Sequence, residues 1–248
     1  MSTGTPLPGS AEKPRVSLSL LMPGLNEEAS VERAVRRALA ALEQHAREFE
    51  IIVIDDGSTD RMGEIADRMA SEDSRVRVLH NEHNLNYGIS LARGIRAARC
   101  DWILHDGMDL PLAPEDLPLF ANHFGGADVI VVRRTSRDAH SPWRKLTSWV
   151  NNLLLRLLFR PQVADLNFTQ FYRRSWVQGV ELLSTSPAFV TPELILRAQH
   201  SGREVREVEA EFRRREAGKA HFGKLDDILW TLKDMLRLRA RTWRRGWK

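Results

Sequence analysis

Three acidic groups in the first half of the chain have the spacing that ligand chemistry would need. Asp55 and Asp56 are adjacent and follow the apolar run Ile51-Ile52-Val53-Ile54 directly. Two carboxylates leaving a buried strand repel each other and lose hydration, so the pair needs a reason. One of them could accept hydrogen bonds from the base or ribose of a ligand at the strand edge. The plainer alternative is that both face water and one caps the next helix. Asp106 and Asp109 flank Gly107-Met108 after another apolar run. A nucleoside diphosphate reaches such carboxylates through a divalent cation, and Mg²⁺ or Mn²⁺ suits oxygen ligands of this kind. A polar turn is the competing reading. Asn26-Glu27-Glu28 stands between a strand-like and a helical run, where acids favour the helix N-terminus in any protein.

The elements around these groups read as alternating strands and helices. Strands are expected at residues 16–22, 49–54, 76–79, 102–104 and 129–132. Apolar residues recur with helical period over 29–46, with Val31, Ala34, Val35, Ala38 and Leu42 on one face. Further helices are expected from about Asp60 to Ala70, over 88–98, over 143–159 and over 193–200, and one more strand over 205–212. The alternation implies βαβ units and a mainly parallel central sheet flanked by helices, an α/β Rossmann-like domain. Ligands of such sheets bind beyond the carboxyl ends of the strands. All three acidic groups stand at those places.

Taken together the motifs carry a resemblance. Leu20-Leu21-Met22-Pro23-Gly24-Leu25-Asn26-Glu27-Glu28, then Ile51-Ile52-Val53-Ile54-Asp55-Asp56-Gly57-Ser58-Thr59-Asp60, then Asn84-Leu85-Asn86-Tyr87-Gly88, resemble family-2 glycosyltransferases of the GT-A fold. The subgroup most similar is that of the dolichyl- and polyprenyl-phosphate sugar synthases. The resemblance implies an inverting transfer of a hexose from a GDP- or UDP-linked donor to a polyprenyl phosphate. A hydroxyl acceptor on a glycan or lipid is the alternative, and so is a nucleotide-sugar-binding scaffold without turnover.

The resemblance also implies roles. Pro23, Leu25, Asn26 and Glu27 would line the nucleotide pocket. Ile54 and Asp56 would hold the base, with Asp55 close by. The family's Asp-x-Asp metal motif falls near Asp109, with Asp106 one residue early and Gly107 at the first Asp position; Asp109 and Asp106 are thus the implied residues for Mg²⁺ or Mn²⁺, with weak or absent metal dependence as the alternative. Arg134 would act after the fifth strand, and Arg134, Arg144 and Ser148 would meet the acceptor. Arg215 and Lys219, in Arg215-Glu216-Ala217-Gly218-Lys219, would close over the diphosphate, as a planar guanidinium suits phosphate oxygens. Asp109, Arg134 and Arg215 are thus the expected catalytic set. A hydroxyl acceptor would need a general base, for which Glu193 and Asp165 are the candidates.

Rival chemistries lack their motifs. The first strand is followed by no basic glycine-rich loop, as a nucleotidyltransferase would have. There is no Gly-x-Gly-x-x-Gly and no phosphate-binding P-loop.

Charge is placed unevenly. The chain carries a net +4, yet residues 233–248 alone carry +6, so the other 232 residues sum to −2. Basic side chains there interleave with Trp243 and Trp247, as in a helix lying on an anionic leaflet. A domain-wide nucleic-acid footprint is not expected. The single cysteine, Cys100, allows no internal disulfide and reads as a core thiol. The expected organisation is a disordered lead-in over 1–14, a transferase domain over 15–224 and a basic amphipathic helix over 225–248. The expected location is cytoplasmic, peripheral at the inner face of the membrane.

Overall fold

The structure, a computed structural model, describes residues 16–108, 110, 112–135, 142–210 and 225–247. Asp109, Arg215, Lys219 and the 1–14 segment lie outside the described residues.

The elements run β1 (Ser17–Gly24), α1 (Val31–His45), β2 (Glu48–Asp55), α2 (Met62–Glu72), β3 (Val76–His80), α3 (Tyr87–Ala97), β4 (Trp102–His105), a 3₁₀ helix (Pro114–His123), β5 (Val129–Arg134), α4 (Pro142–Phe159), β6 (Gln170–Arg173), α5 (Arg174–Val177), α6 (Val190–His200), β7 (Val205–Ala210) and α7 (Leu225–Arg245). Among the described residues seven strands form one sheet in the order β3-β2-β1-β4-β6-β5-β7. All pairings are parallel except those of β6, which runs antiparallel to both β4 and β5. The α/β reading of the sequence therefore holds. The strand β6 was not foreseen: its four residues are too few to show a period, and an antiparallel insertion depends on distant partners.

Side chains alternate across the sheet, and helices cover both faces. Leu20, Met22, Ile51 and Val53 enter one core together with α1 and α2. Leu21, Ile52, Ile54 and Ile103 enter the other, with α3, α6 and the inner side of α7. Met235 and Leu238 of α7 are fully buried there, so the basic C-terminal helix is also a core element. Cys100 is buried, and burial pushes its thiol up, as befits an inert core position.

Parallel pairing brings the carboxyl ends of β1, β2, β3 and β4 to one edge. The register sets Gly24 beside Asp55, Asp55 beside His80, and Leu21 beside His105. Since β6 is reversed, its start also faces this edge, with Gln170 beside His105.

Candidate active site

The loops after β1 and β2 are stitched together. Asn26 adopts a left-handed backbone, φ 55°. Its amide N–H donates to Ser58 Oγ at 2.9 Å, and its Oδ1 accepts from Thr59 N–H at 2.8 Å. Glu28 N–H donates to Asp60 Oδ2 at 3.0 Å, and Arg61 N–H donates to Glu28 Oε2 at 3.1 Å. The two most characteristic motifs of the sequence thus form one structure. Glu27 Oε2 accepts from the Ser30 hydroxyl at 2.5 Å, and the Glu27 carbonyl accepts from Ser30 and Val31 N–H at 3.0 and 2.9 Å, which ties this loop to the start of α1. Pro23 is buried and Leu25 half-buried at this rim. Ile54 points into the second core, where a Cβ on Gly94 would meet its Cδ1 at 2.5 Å; its side chain supports the floor and does not face a ligand.

Gly57 turns the chain after the carboxylate pair with φ +76°, and a Cβ there would lie 2.5 Å from the His83 carbonyl carbon. Only glycine fits both constraints.

The two adjacent carboxylates have different surroundings. Asp55 accepts from Ser58 N–H at 2.9 Å and lies 3.1 Å from His80 Nδ1. Burial pushes its carboxyl up, but the hydrogen bonds of Ser58 and then of His80 outweigh that and leave it below the usual value. The hydrogen bond to Asp67, with help from Asp55, raises the His80 imidazole. Asp56 is also buried, and its Oδ1 accepts from Asn81 Nδ2 at 2.6 Å, Leu85 N–H at 2.8 Å and Ser90 Oγ at 2.8 Å. Asn81 and Ser90 were missed in the sequence, although a serine among the buried positions Gly88, Leu91 and Ile95 of α3 is the kind of polar intruder that marks such a role.

At the end of β4, Asp106 is almost wholly buried. Its Oδ1 accepts from Gly107 N–H at 3.0 Å and Thr169 Oγ1 at 3.1 Å, and its Oδ2 from Leu112 N–H at 3.3 Å. These bonds hold Gly107 and Leu112, which stand on either side of Asp109 in the sequence. Beside it, His105 is sealed in the core, and burial pushes its imidazole down to about 4. Its Nδ1 lies 3.1 Å from the Tyr87 hydroxyl. Among the described residues no group of three or more His, Cys, Asp or Glu could hold a metal ion.

Arg134 reaches the same edge from β5 and forms a two-point ion pair with buried Asp165. Ser148 is exposed on α4, and Arg144 belongs to the same helix. Glu193 is fully buried and accepts from Leu183 N–H, Ser184 N–H and Arg197 Nε. Both candidate bases are therefore committed to holding the fold.

Comparison with known proteins decides the family. The model of "Glycosyl transferase family 2" matches residues 19–180. The chain belongs to glycosyltransferase family 2. It is 32% identical over 209 residues to the glycosyltransferase AglD of Haloferax volcanii, covering 81% of this chain and 34% of that protein. It is 30% identical over 224 residues to the undecaprenyl-phosphate 4-deoxy-4-formamido-L-arabinose transferase of Pectobacterium carotovorum, covering 87% and 66%. The chain thus spans about one third to two thirds of the length of these relatives. Among solved structures, the UDP complex of glucosyl-3-phosphoglycerate synthase from Mycobacterium tuberculosis superposes with a TM-score of 0.65 at 20% identity, over 91% of this chain and 80% of that one. Mannosyl-3-phosphoglycerate synthase from Rubrobacter xylanophilus gives 0.68 at 19% identity, over 93% and 74%. The family-2 chain therefore has the GT-A fold that its motifs implied.

Proposed function

We propose that this family-2 chain is an inverting glycosyltransferase that moves a hexose from a nucleotide-sugar to a polyprenyl phosphate at a membrane surface. The observation that carries the reading is the stitched β1–β2 edge, which presents Asp56 beside a rim made by Pro23 to Glu27. In this reading Asp56 takes the base and the Asp106 loop meets the diphosphate. The relative from Pectobacterium, named for its undecaprenyl-phosphate acceptor, supports the choice of acceptor.

The state of the two candidate bases supports it too. A hydroxyl acceptor must lose a proton as it attacks, and this needs a free carboxylate within reach. Glu193 and Asp165 are buried and engaged. A phosphate acceptor is already ionised near neutral pH and needs only orientation and positive charge, for which Arg134 and Arg144 are the candidates. Arg134 is partly neutralised by Asp165.

A divalent cation fits the residues in part. One related synthase was crystallised with Mn²⁺ and UDP-glucose. In this chain Asp106 already accepts three hydrogen bonds, which leaves Asp109 as the carboxylate for a metal. When bound, Mg²⁺ or Mn²⁺ would supply neutralisation of the leaving diphosphate. Arg215 and Lys219 are the protein's own candidates for the same task.

Membrane contact is proposed from the surface of α4 and α7. Among the described residues no helix is long and apolar enough to cross a membrane. Leu229, Leu236 and Trp243 recur every seven residues on the outer side of α7, opposite the buried Met235 and Leu238. Lys233, Arg237 and Arg244 are exposed alongside. Helix α4, which packs on α7, exposes Trp149, Leu153 and Leu157. Apolar stripes edged by basic side chains suit an anionic leaflet.

The test is a transfer assay with UDP- and GDP-hexoses and polyprenyl phosphate in vesicles, following nucleoside diphosphate release and lipid-linked sugar. Lipid-linked product that disappears in Asp109→Ala and Asp56→Ala is expected. Nucleotide binding without turnover on any acceptor would replace the reading with a scaffold role.

A further inference from the structure

Asp56, the proposed base-binding group, has only one carboxylate oxygen left for a ligand. Asp56 Oδ1 already accepts three hydrogen bonds, from Asn81 Nδ2, Leu85 N–H and Ser90 Oγ. A carboxylate oxygen has about two lone pairs, so this atom is saturated. The three donors come from separate places: the end of β3, the loop before α3, and α3 itself. They are also fixed by one another. Asn81 Nδ2 lies 2.7 Å from Ser90 Oγ, Asn81 N–H donates to the Asp55 carbonyl at 2.9 Å, and Arg93 Nη1 donates to Asn81 Oδ1, so the amide cannot flip. Asn81 and Ser90 are themselves buried. Among the described residues Asp56 Oδ2 has no hydrogen-bond partner, and it is not among the side-chain oxygens sealed from solvent without one.

We infer that this arrangement selects uracil over guanine, making the donor a UDP-sugar, with Asn81 and Ser90 as the positioning residues that set the choice. The inference rests on the transferase reading and on Asp56 as the base-binding group. Uracil presents one imide N–H, flanked by two carbonyl oxygens, and one free acceptor oxygen matches it. Guanine presents its N1–H and an N2–H side by side, which match two parallel carboxylate oxygens. With Oδ1 occupied, guanine keeps one donor without a partner in a pocket whose floor is buried. A site built around one polar pairing rejects ligands that leave a buried group unmatched.

The experiment is calorimetric titration of UDP, GDP and N3-methyl-UDP into wild type and the double variant Asn81→Ala, Ser90→Ala, with thermal melts of both proteins. Wild type is expected to bind UDP at least about tenfold more tightly than GDP, and to lose a similar factor when N3 is methylated. In the double variant only Leu85 N–H still donates to Asp56 Oδ1, which frees a lone pair there, so the UDP-to-GDP ratio is expected to shrink. Its melting point is expected to fall as well, because buried hydrogen bonds are lost. Two purely structural residues would weaken both nucleotides equally and keep the ratio. Wild-type affinity for GDP equal to or above that for UDP overturns the inference and leaves the transferase reading intact. An unchanged ratio in a folded double variant overturns the positioning role. If the double variant fails to fold, Asn81→Leu with Ser90→Ala, which keeps the packing volume at residue 81, is measured in the same way and read by the same ratio. Binding of neither nucleotide removes the transferase reading and this inference with it.

Discussion

Arg134 and Asp165 meet in a two-point ion pair, with Nε 2.8 Å from Oδ2 and Nη2 2.9 Å from Oδ1. Asp165 is itself held by the chain, since its N–H and that of Ala164 donate to Glu207 Oε1 at 3.1 and 2.9 Å. The Arg134 guanidinium also lies over the Phe168 ring, 5.0 Å from its centroid. Removing one partner leaves a desolvated charge, which costs about 3 kcal/mol or more. Asp165→Ala and Arg134→Ala should each lower unfolding free energy by about that amount in urea titrations. The double variant should lose clearly less than the sum of the two. Full additivity would show that the pair does not couple β5 to the segment before β6.

Gly57 gives a second prediction. Gly57→Ala must hold an L-residue at φ +76° with its Cβ against the backbone of His83 and Asn84. Strain of about 1–3 kcal/mol is expected at such a position. The turn would relieve it by shifting Ser58, and with it the bond to Asn26. A melting point several degrees lower and nucleotide affinity weakened at least about tenfold are expected. Unchanged affinity would separate this turn from the donor site.

The β1–β2 edge could be read from sequence because its chemistry is local. Asp55, Asp56, Gly57 and Asp60 lie within six positions, and the strand before them is continuous. What could not be read depends on distance along the chain. The three bonds to Asp56 Oδ1 come from residues 25 to 34 positions away. Asp106 reads as a metal ligand from its acidic neighbour, but Thr169, 63 positions away, helps commit it to the loop. Glu193 and Asp165 read as possible bases because a sequence does not show that both are buried against their own donors. The missed strand β6 has the same cause, since its partners are β4 before it and β5 across α4. Helix α7 was foreseen as basic and amphipathic, with packing on the domain as the alternative to membrane contact; Met235 and Leu238 do meet the core, and which of its apolar residues turn inward depends on partners far along the chain.

Acid should weaken the fold through His105. Burial holds the folded imidazole near 4, below the usual 6.5. A depressed value means that the folded state prefers the neutral ring. The stabilisation is therefore fully present above 6.5 and is lost as pH falls through that window towards 4. The loss is roughly 3 kcal/mol over the window. Asp55, whose carboxyl lies below the usual range, adds a further loss at lower pH. His80 acts in the other direction: its raised imidazole contributes below 6.5 and loses that contribution as pH rises through its folded value. Urea unfolding of wild type between pH 4 and 7 should show stability falling with acid. His105→Gln, which keeps an acceptor for Tyr87, should show a flatter profile. Equal slopes in the two proteins would rule out His105 as the source.

The last prediction separates two contributions to membrane contact. If α4 and α7 lie on the leaflet, apolar insertion and charge attraction should respond to different changes. The attraction of Lys233, Arg237 and Arg244 requires anionic lipid and weakens with salt, as screening shortens to about 3 Å at 1 M ionic strength. Burial of Trp243, which is 80% exposed, and of Leu157, which is 69% exposed, does not require anionic lipid. In vesicle co-sedimentation, the combined neutralisation Lys233→Gln, Arg237→Gln, Arg244→Gln should abolish the preference for anionic over neutral vesicles and most of the salt dependence. Leu157→Asp with Trp243→Ala should weaken binding to both kinds of vesicle and leave the salt dependence in place. Trp247 should be left intact in all variants, because it stacks on His200 at 4.0 Å and anchors the helix end to the domain. If neither set of substitutions changes vesicle binding, the outer stripes of α4 and α7 do not face lipid, and the acceptor must reach Arg134 and the Asp106 loop by another route.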